Sequence, residues 1–281
     1  MQNINTQAKN WFITGSNSGF GLALTKAVLG KGDCVIATSR HPEELDDLVQ
    51  KYPDTIKVVQ LDVTKSEDIA KAVYTAQQTN GGIDVLVNNA GFGTLGAVEE
   101  VAEDKIRFLM QSLMGETPKT ALHRYQFEVN YFGTLNLTRA FLPHFRQQGS
   151  GHILNVSSVG GFTSYAGTGI YSSSKFAIEG MSEALSQELA PLGVKVTIVE
   201  PGAFRTGFSG SALSVPENQI SDYSETSGKF VKMAQSIDKE EPGDPHKAAL
   251  AMIKVVESDN PPLRLVLGED ALEGILKNLL L

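Results

Sequence analysis

Seven short apolar runs lie along this chain, 11–14, 34–37, 56–61, 83–87, 152–156, 194–199 and 263–267, and several are apolar at nearly every position. A strand with one wet face alternates apolar and polar residues, whereas a run apolar throughout suits a strand covered on both faces. Stretches with helical spacing lie between the runs, among them 22–29, 69–76 and 177–189. Alternation of strand and helix predicts a parallel sheet with helices on both faces. Right-handed crossovers then make it a doubly wound α/β sheet of about seven strands.

No linker, internal repeat or low-complexity tract divides the 281 residues, so residues 1–281 are expected to form one domain. Two stretches break the rhythm. Residues 108–124, with Gly115 and Pro118, interrupt what would otherwise be one helix, and read as an insertion. Residues 203–241 are rich in Ser, Gly and polar side chains, a length and composition expected of a substrate lid. With 24 basic and 32 acidic residues the net charge is −8, which argues against a nucleic-acid partner or an anionic membrane surface. The single cysteine, Cys34, forms no internal disulfide. The first ten residues lack the apolar core of a signal peptide, and no apolar run approaches the ~18 residues of a membrane span, so a soluble, cytoplasmic protein is expected.

Directly after the first apolar run comes Thr14-Gly15-Ser16-Asn17-Ser18-Gly19-Phe20-Gly21, then an apolar helical stretch. Here the three glycines permit a sharp exit from the strand, a close backbone approach to a pyrophosphate, and tight packing of helix on strand. Free N–H groups at the helix start face the negative charge. Strand before and helix after is the context that gives the pattern weight. A Walker-type loop is excluded, because Gly-Lys-Ser/Thr does not follow. A Rossmann-type dinucleotide site is therefore expected, with residues 15–21 around the phosphates. An NAD site usually places an acid at the end of the second strand, but residues 37–40 are Ala37-Thr38-Ser39-Arg40. The guanidinium fork of Arg40, with Ser39 beside it, suits a 2′-phosphate and points to NADP(H) rather than NAD(H). The Ser16 hydroxyl is a further candidate donor to that phosphate, and His41 lies nearby. Arg40 as a solvated surface side chain is the plain alternative. At the third strand's end, Asp62 suits the adenine amino group and the Val63 amide its ring edge; Asp62 also reads as a helix N-cap.

With Asn88-Asn89-Ala90-Gly91 after the fourth run and Tyr171-Ser-Ser-Ser-Lys175 further on, the sequence resembles the short-chain dehydrogenase/reductase family, in its single-domain branch. Seven motifs fall in family order from about residue 10 to residue 207. The resemblance implies that Asn89, Ala90 and Gly91 border the cofactor, that Lys175 binds the nicotinamide ribose, and that Asn130 supports a water chain to the lysine. It places Ser158, thirteen residues before Tyr171, on the substrate oxygen, with Ser157 as the neighbouring alternative. It also sets Pro201 and Gly202 beside the nicotinamide, with Thr206 reaching the carboxamide or a phosphate. A homodimer or homotetramer is implied too, and the 108–124 insertion is expected to alter that contact. No metal is expected: the five histidines show no metal-binding spacing, and no Gly-X-Ser-X-Gly elbow is present.

The chemistry also follows from the residues. Tyr171 and Lys175, four apart, project from one face of a helix. Free tyrosine has a pKa near ~10, and an adjacent ammonium with an oxidised nicotinamide is expected to lower it, so that Tyr171 serves as general acid/base. Candidate cleft residues, including Phe92, Tyr165, Phe204, Phe208 and Met233, are apolar, with Arg205 the one basic exception. The expected activity is hydride transfer between NADP(H) and an apolar ketone, aldehyde or secondary alcohol. A non-catalytic NADP(H)-binding regulator and an epimerase or dehydratase of the same family are the alternatives; the latter lacks its usual separate C-terminal domain here.

Overall fold

A computed structural model describes residues 8–79, 81–101, 122–208, 210, 212–217, 219–237 and 240–280. Seven strands form one sheet: β1 (Asn10–Ile13), β2 (Cys34–Ser39), β3 (Ile56–Gln60), β4 (Val85–Asn88), β6 (Gly151–Val156), β7 (Val194–Pro201) and β9 (Arg264–Leu267). Their order is β3-β2-β1-β4-β6-β7-β9, and every pairing is parallel. The expected doubly wound single domain is what the chain forms. The order reverses between β1 and β4, and it is outside the carboxyl ends of the strands at such a reversal that ligands bind.

Side chains alternate across the strands, and both faces are dry. Trp11 and Ile13 point to one layer, with Leu24 and Val28 of the helix Gly19–Lys31 and Met252 and Ile253 of the helix Pro245–Val256. Phe12 points to the other, against Phe141 of the helix Thr134–Gln148 at 5.0 Å between ring centres, with Ile69 and Val73 of the helix Ser66–Gln77 alongside. This two-sided burial is why the strands read as continuous apolar runs rather than alternating ones.

Two short strands stand apart, β5 (Gly93–Thr94) and β8 (Leu213–Ser214), which pair in parallel. The stretch 203–241 is not a bare loop: besides β8 it carries the helix Ser227–Ser236. Of the insertion, residues 108–121 lie outside the described residues, as does the expectation about its effect on a subunit contact. The chain resumes in the helix Leu122–Phe127, which runs into a π-helical turn at Glu128–Gly133 and then into Thr134–Gln148. No helix among the described residues is long and apolar enough to cross a membrane.

Candidate active site

The glycine turn closes at the carboxyl ends of β1 and β4. Gly15 and Gly19 take positive φ, +66° and +51°, a region where side-chain-bearing residues are strained. A β-carbon on Gly21 would run into the Gly15 carbonyl oxygen, so the helix start must lie flat against the turn. Thr14 anchors the turn: its hydroxyl accepts the Asn89 and Ala90 amides at 2.8 and 2.9 Å. Asn89 answers by donating its side-chain amide to the Thr14 carbonyl at 2.8 Å. Asn89 and Ala90 thus hold the cradle in shape from β4. Ser18, the residue before the helix, is exposed and makes no side-chain cap, so first-turn amides are left for an anion. A pyrophosphate fits this cradle. Thr206 packs over Gly19, and Phe20 turns its ring edge to Phe204 at 5.1 Å.

Two placements differ from the sequence reading. Ser16 is fully buried; its hydroxyl donates to the Ile13 carbonyl at 2.9 Å and accepts the Thr38 amide at 3.3 Å. It braces the turn and is not available to a phosphate, because the chain doubles back toward β2 at this point. Phe204 packs against Phe20 in the core layer, and Arg205 donates to the Glu241 and Pro242 carbonyls at 2.6 and 3.0 Å. Neither belongs with an apolar cleft carrying one basic exception: the turn after β7 directs both toward the helix Pro245–Val256.

Arg40 is exposed at the end of β2, and Ser39 accepts the His41 amide at 3.1 Å. Asp62 uses one carboxylate oxygen on the Thr64 amide and hydroxyl, at 3.0 and 2.7 Å, as a tight turn rather than a helix cap, since Lys65 precedes the helix. The Val63 side chain lies buried against Gly133. Tyr125 stands between Arg40 and Asp62: burial raises its hydroxyl's pKa, Asp62 pushes the same way, and Arg40, in hydrogen-bond contact, opposes them. Its ring tilts against Phe92 at 5.7 Å. Tyr125 follows directly on the 108–124 interruption, and nothing local in the sequence marks it as a neighbour of Arg40.

Tyr171 and Lys175 lie in the first two turns of the helix Gly169–Leu189. The Ser158 hydroxyl accepts the Gly160 amide at 3.0 Å and is hydrogen-bonded to Tyr171. Gly160 has its place because a side chain there would press on the Tyr171 ring. Buried Lys175 donates to the Val156 carbonyl at 2.9 Å, and its ammonium and the Asn130 side-chain oxygen both face Gly91. Asn130 sits in the π-helical turn; such bulges are frequent at functional sites. It accepts the Phe92 amide at 3.1 Å and donates to the Phe92 carbonyl and the Ser174 hydroxyl, both at 3.0 Å. Ser174, overlooked in the sequence, also donates to the Tyr171 carbonyl at 2.7 Å and so links Asn130 to the tyrosine's helix.

The expected lowering of the Tyr171 pKa combined the lysine with an oxidised nicotinamide; the protein's own groups act in the other direction. Burial pushes its phenol up to about 12, with the Ser158 hydrogen bond opposing. The lysine ammonium lies 5.8 Å from the ring centre and is turned to a backbone carbonyl, so its charge does not offset the lost hydration. Lys175 is itself pulled down to about 8 by burial, with the Glu179 charge raising it.

The stretch 203–241 covers this corner. Phe208 lies on Tyr171 at 5.7 Å and fills the space over Gly93. Tyr165 stacks on Phe230 at 6.0 Å. Glu100 receives the Ile220 amide at 2.8 Å, and Tyr223 donates to Glu99 at 2.6 Å, so β5–β8 and two acids tie the segment to residues 93–101. Pro201 ends β7, and the Gly202 amide donates to the Leu267 carbonyl at 2.9 Å.

Comparison with known proteins bears on the family and the fold. The family model for short chain dehydrogenase matches residues 9–215. A solved short-chain dehydrogenase from Streptomyces avermitilis superimposes with a TM-score of 0.85 at 43% identity, over 97% of this chain and 93% of that one. A curated 3-ketodihydrosphingosine reductase of Bacteroides thetaiotaomicron is 36% identical over 91% of this chain and 86% of its own. A short chain dehydrogenase of Burkholderia cenocepacia, solved in complex with NADP, matches with a TM-score of 0.70 at 28% identity, over 98% and 93% of the two chains.

Proposed function

The chain belongs to the short-chain dehydrogenase family of oxidoreductases, and from that premise we propose that it is an NADP(H)-dependent reductase of apolar ketones or aldehydes, working in reverse on secondary alcohols. The observation that carries this reading is the convergence of Ser158, Tyr171, Lys175 and Asn130 beside a glycine cradle shaped for a pyrophosphate. Residues 15 and 17–21, with Thr206, are assigned to the phosphates. Arg40 and Ser39 are assigned to the 2′-phosphate, Asp62 and Val63 to the adenine, and Gly91, Pro201 and Gly202 to the nicotinamide end. Arg40 favours NADP(H), and the Burkholderia relative binds NADP.

The nicotinamide supplies or accepts the hydride. Tyr171 carries the proton: its phenol, held neutral by burial, donates to the carbonyl oxygen during reduction and takes the proton back during oxidation. Ser158 holds that oxygen against the phenol, and the Lys175 ammonium supplies positive charge where negative charge develops. The segment 203–241 acts as a lid whose Phe208 excludes water from the tyrosine. The rings of Phe92 and Phe208, packed on Tyr125 and Tyr171, support an apolar substrate, and the Bacteroides relative is named a 3-ketodihydrosphingosine reductase.

The test is a fluorescence titration with NADPH and NADH, followed by a carbonyl screen with the tighter cofactor. NADPH preference by tenfold or more, about 1.4 kcal/mol, is the expected outcome. NADH preference would remove the assignment of Arg40, and turnover of anionic carbonyls alone would remove the apolar substrate.

A further inference from the structure

Directly behind the tyrosine and lysine lies a charged cluster that the chemistry above does not use. Glu179 follows Lys175 by one helical turn and is 6% exposed; Glu200, near the carboxyl end of β7, is fully buried. Arg264 on β9 reaches both: its Nε stands 3.3 Å from Glu179 and 3.2 Å from Glu200, and its Nη2 is 2.7 Å from Glu183 at the surface. The Ser157 hydroxyl faces the Glu179 carboxyl across Gly161. One guanidinium split among three acids does not neutralise two buried carboxylates. Of the two buried acids only Glu179 accepts an aligned hydrogen bond from Arg264, and neither oxygen of Glu200 accepts one among the described residues, although the guanidinium lies close by. A proton shared between the two carboxyl groups would give Glu200 a hydrogen bond to donate and remove one of the two buried charges.

We propose that Glu179 is a positioning residue for Lys175: Arg264 holds it as the charged member of a proton-sharing pair with Glu200, and its carboxylate keeps the buried lysine an ammonium at the pH where the site works. Burial and the neighbouring Glu179 charge together push Glu200 up to about 7, with Arg264 opposing, and since the guanidinium donates its aligned hydrogen bond to Glu179, Glu200 is the member that holds the proton. Arg264 opposes the effect of burial on Glu179 and leaves the negative charge there, one turn below Lys175. Asn130, the Val156 carbonyl and Tyr171, which also face the lysine among the described residues, bring it no negative charge at neutral pH. Without Glu179, burial alone would favour the neutral amine.

The inference rests on Lys175 serving the reaction, but its test does not depend on turnover. In the cofactor-free full chain with 13C-labelled lysine, the Lys175 ε-carbon signal is assigned by its loss in Lys175→Met and followed through a pH titration. Glu179→Gln is expected to lower the Lys175 midpoint by about one pH unit, and Glu179→Asp to leave it near the wild-type value. Arg264→Gln, which lets Glu179 take up a proton, is expected to lower it as well, and decides the matter if Glu179→Gln does not fold. An unchanged midpoint in Glu179→Gln or in Arg264→Gln, or an equal fall in Glu179→Asp, overturns the proposal. Failure of the reductase reading would show separately, as a chain that turns over no carbonyl while the lysine still titrates as described.

Discussion

The Lys175 ammonium lies 5.8 Å from the centre of the Tyr171 ring and donates not to the phenol but to the Val156 carbonyl at the end of β6. The lysine is therefore pinned by the sheet, and the tyrosine by Ser158 and Gly160. Division of the anchors separates what each residue contributes: Tyr171 holds a proton, whereas Lys175 holds a charge.

Removing the phenol alone tests that division. Tyr171→Phe keeps the ring that packs on Phe208 and Gly160, so cofactor affinity should stay within about twofold. Turnover should fall by about 10²- to 10⁴-fold, the usual contribution of a general acid. Parallel NADPH titration and carbonyl-reduction assays check both; retained turnover would assign the proton to another group.

Arg40 is the only cation assigned to the 2′-phosphate, and Tyr125 is in hydrogen-bond contact with it. Arg40→Ala should weaken NADPH binding by tenfold or more, about 1.4 kcal/mol, while NADH binding changes little. The ratio of the two dissociation constants is the measurement, and an unchanged ratio would leave Arg40 as a surface residue.

Gly21 has no room for a methyl group against the Gly15 carbonyl, which is backbone and does not yield. Gly21→Ala should displace the helix start from the turn, abolish measurable cofactor binding and lower Tm by several degrees, since forced overpacking costs about 1–3 kcal/mol. Circular dichroism melts beside the titration distinguish a lost site from a lost fold.

His152 provides an acid limit on stability. It is buried in β6 with its Nε2 2.9 Å from the Thr197 hydroxyl. Burial, followed by the charges of Lys195 and Lys9, lowers its pKa to about 4. An unfolded histidine titrates near ~6.5, so between these values the unfolded chain binds the extra proton and gains. Stability from this group is complete above pH ~6.5 and declines as the pH falls toward 4, by about 3 kcal/mol in all. Chemical denaturation at pH 7 and pH 5 should show the fall, and His152→Gln should flatten it.

The sequence by itself determined the architecture and the parts list. Strands covered on both faces are largely apolar, and the glycine turn, Tyr171 and Lys175 are local patterns whose spacing fixes where they fall on strand and helix. Such signals are short-range, and the structure reproduces them. What the sequence could not contain is the orientation of polar atoms. Ser16 looks like a phosphate donor until the turn folds back on β2, and Arg205 like a cleft residue until the chain after β7 carries it to the Glu241 carbonyl. The tyrosine's raised pKa depends on burial, and the placing of Tyr125 beside Arg40 and the meeting of Glu179, Glu200 and Arg264 each depend on residues 21 to 85 positions apart. Hydration lost on burial and charge brought near are properties of the packed state. They arise only when β6, β7 and β9 align and a helix closes over them, so only the tertiary structure decided them.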